Sequence, residues 1–160
     1  GPQLQIAGDG PQRAELEKLA GDLGIAERVT FLGAITRAQL LGEMHSAHVF
    51  MLPCRTAPDG EKEGIPNVLK EAQAAGLPVI STTHAGIPEA VAHGEVGLLA
   101  PEGDVPALAE CLNELLGHPE RWAAMGRRGR AMMAERFDSA VLAPILRGHY
   151  ERVLRRGGCA

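Results

Sequence analysis

The chain has 160 residues, one domain's worth, with a formal net charge of −4 and aromatic residues at only 3%. That balance, with no basic stripe interleaved with aromatics, gives no support to a nucleic-acid footprint, and no apolar run approaches the roughly 20 residues of a membrane span. Cys54, Cys111 and Cys159 are odd in number and scattered, so they indicate neither a disulfide framework nor a thiolate metal site and read as inert thiols of a reducing cytosol.

In chain order, Leu4 to Ala7 reads as a strand ending in Gly8-Asp9-Gly10-Pro11, and Pro11 suits a helix start because its missing N–H does no harm there. The helix should run to about Leu23 with Leu16, Leu19 and Leu23 on one stripe. Val29 to Leu32 is a second strand closed by Gly33, and Thr36 is the expected N-cap of a helix to about Ser46. Val49 to Leu52 is continuously apolar, the pattern of a fully buried parallel strand, and Pro53 to Glu61 is a turn-rich loop. A helix carrying Glu71 stops at Gly76, Pro78 leads into the strand Val79-Ile80, and Ser81 to Gly86 is a loop before a short helix, Ile87 to Ala92. Val96 to Ala100 is the last strand. Asp104 caps a helix to about Leu116, Pro119 opens another to about Arg136, and a final helix covers Ser139 to Arg155. Arg127, Arg128 and Arg130 read as a solvated face. The alternation predicts an α/β fold with a doubly wound parallel sheet, whose ligands sit beyond the carboxyl ends of the strands. The loops 8–10, 33–35, 53–64 and 81–87 should gather on that edge.

The chain is organised around EGIPNVLKEAQAAGLPVISTTHAGIPEAV, Glu63 to Val91. Two carboxylates, Glu63 and Glu71, stand eight positions apart. A helix begun just after Glu63 would separate them by about 12 Å, a span suited to a long polar ligand rather than one metal or one proton. Glu71 is expected to share a face with apolar neighbours rather than with Lys70 and Gln73, so it needs a hydrogen-bonding partner. Gly64 lets backbone approach a ligand, and the helix start offers free N–H groups to phosphate or hydroxyl oxygens. Taken singly, Glu63 reads equally well as a helix cap and Glu71 as a satisfied core-edge carboxylate.

Other patterns exclude more than they assign. Gly8-Asp9-Gly10 looks like a phosphate loop, but the dinucleotide fingerprint wants a third glycine where Arg13 stands, so a tight turn and a nucleotide contact are equally good readings. Walker A and a Gly-x-Ser-x-Gly elbow are absent from the sequence. His45 and His48 lack a third ligand, and no Asp-x-Asp is present to hold a nucleotide-bound metal, so metal independence is expected. His84 lies in the 81–86 loop, on the expected binding edge, where a ligand contact is the less favoured reading. Ser46 and Ser81 read as hydrogen-bonders rather than nucleophiles.

Taken together, IAGDGPQRAELEKLA, VTFLGAITRAQL, HVFMLPC, EGIPNVLKEAQAAGLPVIST, AGIPEAV and GEVGLLAPEGD resemble the glycosyltransferase family 4 group (glycosyl transferases group 1), specifically its C-terminal nucleotide-sugar-binding domain. The most specific part is Glu-x7-Glu followed by Ala-x-x-Ala-Gly-x-Pro-Val. Glu61 cannot be the first carboxylate, because Leu69 lies eight positions on. The resemblance implies a Rossmann-like fold, the C-terminal half of a GT-B enzyme. Residues 1–160 would be the donor domain, an excised piece without its first strand–helix unit and the N-terminal acceptor domain.

It also implies transfer of a sugar, with retention, from a UDP-, GDP- or similar nucleotide sugar to a glycan, lipid or other hydroxyl acceptor. No further cofactor and no metal are implied. Glu71 would hold the ribose hydroxyls and Glu63, the candidate catalytic residue, the donor sugar. Backbone at Gly64, Ile65 and Asn67 would meet sugar or phosphate, with Gly8 and Gly10 as further donor contacts. Backbone around Gly33, Ala34 and Ile35 would hold the base. Ile65-Pro66 replaces the family's usual Phe-Gly, and Pro66 has no N–H to donate. The resemblance further implies a cytoplasmic location, with peripheral contact at the inner membrane face for the full-length protein, and a fragment inactive on its own. A nucleotide-sugar epimerase and a non-catalytic nucleotide-binding module are the competing readings.

Overall fold

Parallel strands need a crossover connection such as a helix, and each ladder between the strands described below is parallel. The computed structural model describes residues 1–57, 59–60 and 64–157. It divides into two compact units, Gly1–Ser46 and Ala47–Ala160, each of α/β construction with a parallel sheet.

In the first unit, β1 (Leu4–Ala7) pairs with β2 (Val29–Gly33) across α1 (Arg13–Asp22), with Leu4 opposite Val29 and Ala7 opposite Gly33. The helix α2 (Arg37–Ser46) starts as its sequence predicts. The Thr36 hydroxyl accepts from Gln39 N at 3.3 Å, and Gln39 Oε1 accepts from Thr36 N at 2.8 Å, a reciprocal capping box. The leucine stripe of α1 does not behave as expected. Leu16, Leu19 and Leu23 are exposed, and Ala20 is the buried residue of the helix. Two strands present too little apolar surface to cover the full width of a helix face.

In the second unit the strand order is β3 (Phe50–Leu52), β4 (Val79–Thr82), β5 (Gly97–Ala100). The buried strand is β4, all four residues of which are shielded, whereas β3 is half-buried because it lies at the sheet edge. Its second half carries hydroxyls where a buried strand would ordinarily carry aliphatics. Each is satisfied: Ser81 Oγ donates to the Leu52 carbonyl and Thr82 Oγ1 to the Cys54 carbonyl, both at 2.6 Å. The helices are α3 (Asn67–Ala75), α4 (Ile87–Ala90), α5 (Val105–Gly117), α6 (Trp122–Arg136) and α7 (Ser139–Gly157). Asp104 caps α5 by accepting from Ala107 N at 2.9 Å.

Ile80, Leu98, Leu115 and Met125 form the core on one face of this sheet, with Leu108, Leu112 and Trp122 packed against it. Burying each such aliphatic side chain stabilises by about 1.5–3 kcal/mol. The Trp122 indole N–H donates to the Leu115 carbonyl at 2.7 Å, and its ring lies 5.3 Å from that of His48. Cys111 is half-buried beside this core, and burial pushes its thiol up, which keeps it unreactive.

Helix α3 ends at Gly76, whose φ of 89° is the left-handed turn that glycine adopts without strain. There α6 crosses at backbone contact: a Cβ on Gly126 would sit 1.9 Å from the Gly76 carbonyl oxygen. Arg130, otherwise part of the expected solvated face, donates to the Ala74 carbonyl at 2.8 Å, at the negative end of α3. The buried stripe of α3 is Leu69, Ala72 and Gln73, while Glu71 is half-buried. Gln73, expected on the outer face with Lys70, is therefore turned inward by the approach of α6. Its Nε2 and Oε1 meet no hydrogen-bond partner among the described residues.

Two substitutions check this packing. Gly126→Ala should lower stability by more than about 1–3 kcal/mol in thermal or urea denaturation, because rigid backbone stands in the way. Gln73→Met should raise it by about 1 kcal/mol or more, since a buried amide without partners is replaced by an apolar group of similar length.

Candidate functional site

Helix α3 begins at Asn67 because Pro66, at the N-cap, holds φ −57° and ψ 130°, an extended geometry that a proline also favours in the residue before it. Glu63 lies outside the described residues. The expectation of a helix beginning just after Glu63 is corrected: helical rise separates only Asn67 from Glu71. Pro66 supplies no capping side chain, and Leu69 N turns back to the Pro66 carbonyl at 3.2 Å. The N–H groups of Asn67 and Val68, in the first turn, have no partner within the helix. Gly64 and Asn67 are exposed, Ile65 is half-buried, and Glu71 is half-buried one turn inside.

The turn before α3 is packed against the loop after β4. A Cβ on Gly86 would lie 2.9 Å from Ile65 Cγ1, so only glycine leaves that isoleucine its place. Preceding it, Ala85 has φ 43°, a left-handed conformation uncommon for a residue with a side chain. His84 is only 1% exposed and bonds through Nδ1 to Glu102 Oε2 at 2.9 Å. It therefore turns inward as a packing residue. Glu102 also accepts from the Thr56 N–H and, at 3.3 Å, from the Thr56 hydroxyl. One carboxylate thus ties together the segments following β3, β4 and β5. The bond from His84 and the two from Thr56 hold the Glu102 carboxyl at about 2, well below its ordinary 4.5. Sequence reasoning passed over Thr56 and Glu102. Their only signal was position, since each follows a strand's carboxyl end.

In the first unit the two glycine loops meet. Gly8 N donates to the Gly33 carbonyl at 2.9 Å, with φ of 132° at Gly8 and 68° at Gly33. Gly10 N bonds the Asp9 carboxylate at 2.9 Å, and the Gly10 carbonyl accepts from Arg13 N at 3.1 Å where the chain turns into α1. Ala34 is exposed and Ile35 half-buried. Arg13 reaches toward this junction: its Nη1 is 3.2 Å from where a Gly33 Cβ would be, and its Nε pairs with Glu17 at 2.8 Å. An open groove of about 380 Å³ between Arg13, Glu17, Val29 and Phe31 contains none of the residues expected to bind ligand. The candidate residues therefore fall into two groups, one in each unit: Gly8, Gly10, Gly33, Ala34 and Ile35 in the first, and Gly64, Ile65, Asn67 and Glu71 in the second.

His45 Nδ1 bonds the Leu41 carbonyl at 2.6 Å. Among the described residues, no group of three or more His, Cys, Asp or Glu side chains is placed to hold a metal ion. No helix among them is long and apolar enough to cross a membrane.

The sequence profile of the glycosyl transferases group 1 matches residues 2–118. The chain belongs to this family. Among its relatives, this group 1 glycosyltransferase chain is 41% identical over 153 residues to the GDP-mannose-dependent alpha-(1-6)-phosphatidylinositol monomannoside mannosyltransferase of Mycobacterium tuberculosis. That match takes in 92% of this chain and 40% of the relative, so the chain spans about two fifths of its length. Among solved structures, HepE of Anabaena in complex with UDP superposes with a TM-score of 0.81 at 26% identity, over 94% of this chain and 41% of that one. Sucrose-phosphate synthase of Thermosynechococcus elongatus gives 0.78 at 29% identity, over 96% and 39%. These neighbours are GT-B glycosyltransferases, and the group 1 chain shares their Rossmann-like α/β fold.

The Glu102 carboxyl gives an acid-range prediction. A carboxylate whose folded value is depressed stabilises above its unfolded value, and that contribution is lost as pH falls through the folded one. Between pH 4.5 and about 2, the wild-type chain should lose more stability on acidification than Glu102→Gln. Urea midpoints measured across that window check it.

Proposed function

We propose that the chain is the donor-binding half of a retaining glycosyltransferase, taking a nucleoside-diphosphate hexose, with GDP-mannose the first donor to test. The observation that carries this reading is the start of α3: an end free of any capping side chain from Pro66, with the half-buried Glu71 carboxylate one turn inside. Open N–H groups suit a phosphate or sugar oxygen, and a carboxylate accepts from two neighbouring hydroxyls such as those of a ribose. The relative named for GDP-mannose and the HepE complex with UDP support a nucleotide-sugar ligand.

In this reading Glu71 holds the ribose, Glu63 the transferred sugar, and backbone at Gly64, Ile65 and Asn67 the sugar or phosphate. Gly8, Gly10 and the Gly33–Ile35 backbone serve the nucleotide. The chain's part in catalysis is to bind and orient the donor while an acceptor hydroxyl attacks and the diphosphate departs. No metal takes part. The acceptor, a glycan or lipid, is bound mainly by an N-terminal domain of the full-length protein, which accords with a chain spanning two fifths of its relative. The full-length enzyme works in the cytoplasm at the inner face of the membrane. An epimerase would draw its acid–base pair from Glu63 and His84, and the burial of His84 against Glu102 weighs against it.

Calorimetric titration of the chain with GDP-mannose and UDP-glucose tests the assignment. Loss of hydrogen bonds to a charged group costs about 1.5–3 kcal/mol, so Glu71→Ala should bind the preferred donor roughly ten- to a hundredfold more weakly. Glu89→Ala, an exposed carboxylate on α4, should bind as wild type does. Equal affinity of Glu71→Ala and wild type overturns the reading.

A further inference from the structure

The turn that opens α3 has little of its own to hold it. Pro66 cannot donate, no side chain of Pro66 caps the helix, and Gly64 is exposed. It is held by the buried Pro66 and by Ile65, which is lodged against Gly86. Gly86 is placed in turn by the left-handed Ala85 and by His84, whose carbonyl accepts from Ile87 N at 3.0 Å to start α4. His84 is locked by Glu102, and Glu102 by Thr56.

We infer that His84 and Glu102 form a positioning pair that holds the Gly64–Asn67 turn in its donor-binding shape without touching the donor. A fully buried imidazole bonded to a carboxylate has one orientation, so the loop after β4 inherits a fixed path. Through Gly86 that path dictates where Ile65 lies, and therefore where the N–H groups of Ile65 and Asn67 point. Thr56 extends the tie to the segment after β3, so the loops at the carboxyl ends of β3, β4 and β5 move together. A ligand-binding turn supported by such a shell retains its shape, whereas one left to itself samples looser conformers. The binding arm of this inference rests on the donor-site reading; its structural arm does not.

The test compares wild type with His84→Phe, which keeps the bulk and removes the donor; His84→Asn, whose Nδ2 stands near the place of Nδ1; and Glu102→Ala. Two measurements are made on each: affinity for GDP-mannose and UDP-glucose, and amide hydrogen exchange. If the turn is competent only about a tenth of the time once the pair is broken, affinity falls about tenfold in His84→Phe and Glu102→Ala. In the same variants the amides of Leu69 and Ile87, bonded to the Pro66 and His84 carbonyls, exchange faster while those of Ile80 and Leu98 keep their protection. His84→Asn recovers both properties. Should His84→Phe not fold, Glu102→Ala carries the test, because that side chain is one-third exposed and its truncation leaves the core intact. Wild-type exchange at Leu69 and Ile87 in the broken variants overturns the inference. So does a uniform rise that includes Ile80 and Leu98, or failure of His84→Asn to recover. If wild type binds no nucleotide sugar, the donor reading fails while the exchange arm still judges the pair.

Discussion

β4 has neighbours on both edges and no water on either face, and the second unit is arranged around that constraint. Four consecutive buried residues must find partners for every polar group they carry. The ladders to β3 and β5 serve the backbone. The hydroxyls of Ser81 and Thr82 then reach across to the Leu52 and Cys54 carbonyls just where the pairing with β3 gives out. Position therefore passes from the sheet into the loops by hydrogen bonds rather than by apolar contact. His84 and Glu102 continue that pattern beyond the end of the ladder.

The other end of the unit is governed by close approach. Gly76 turns the chain out of α3, and Gly126 lets α6 come down on that turn at backbone distance. The same crossing drives Gln73 inward and draws Arg130 to the α3 carbonyls. Helix α3 is thus fixed at its carboxyl end by packing and presented at its amino end by a proline.

The elements were largely legible in the sequence because their boundaries are chemical. Thr36 with Gln39, Asp104, and Gly76 followed by Pro78 are signals that act within one turn of chain, and the structure places helix ends at each. Burial was harder to read. The apolar run Val49–Leu52 looked like a fully buried strand, yet VIST, with two hydroxyls, is the one fully shielded. An apolar run states what a strand tolerates, whereas its place in the sheet depends on distant partners. Gln73 shows the same limit, since its side is set by Gly126 and Gly129, more than fifty residues away. The Gly64, Asn67 and Glu71 positions followed from the Glu-x7-Glu spacing. The start of the helix did not, because Pro66 delays it to Asn67. Thr56 and Glu102 carried no motif, and only the fold brings them to His84.

Trp122 is the chain's single tryptophan, seated with its indole N–H on the Leu115 carbonyl and its ring beside His48. It belongs wholly to the second unit. Indole emission therefore reports on the packing of the second unit around Leu115 and His48. Optical melting at that wavelength and a whole-chain probe such as circular dichroism will coincide only if the two units come apart in one step.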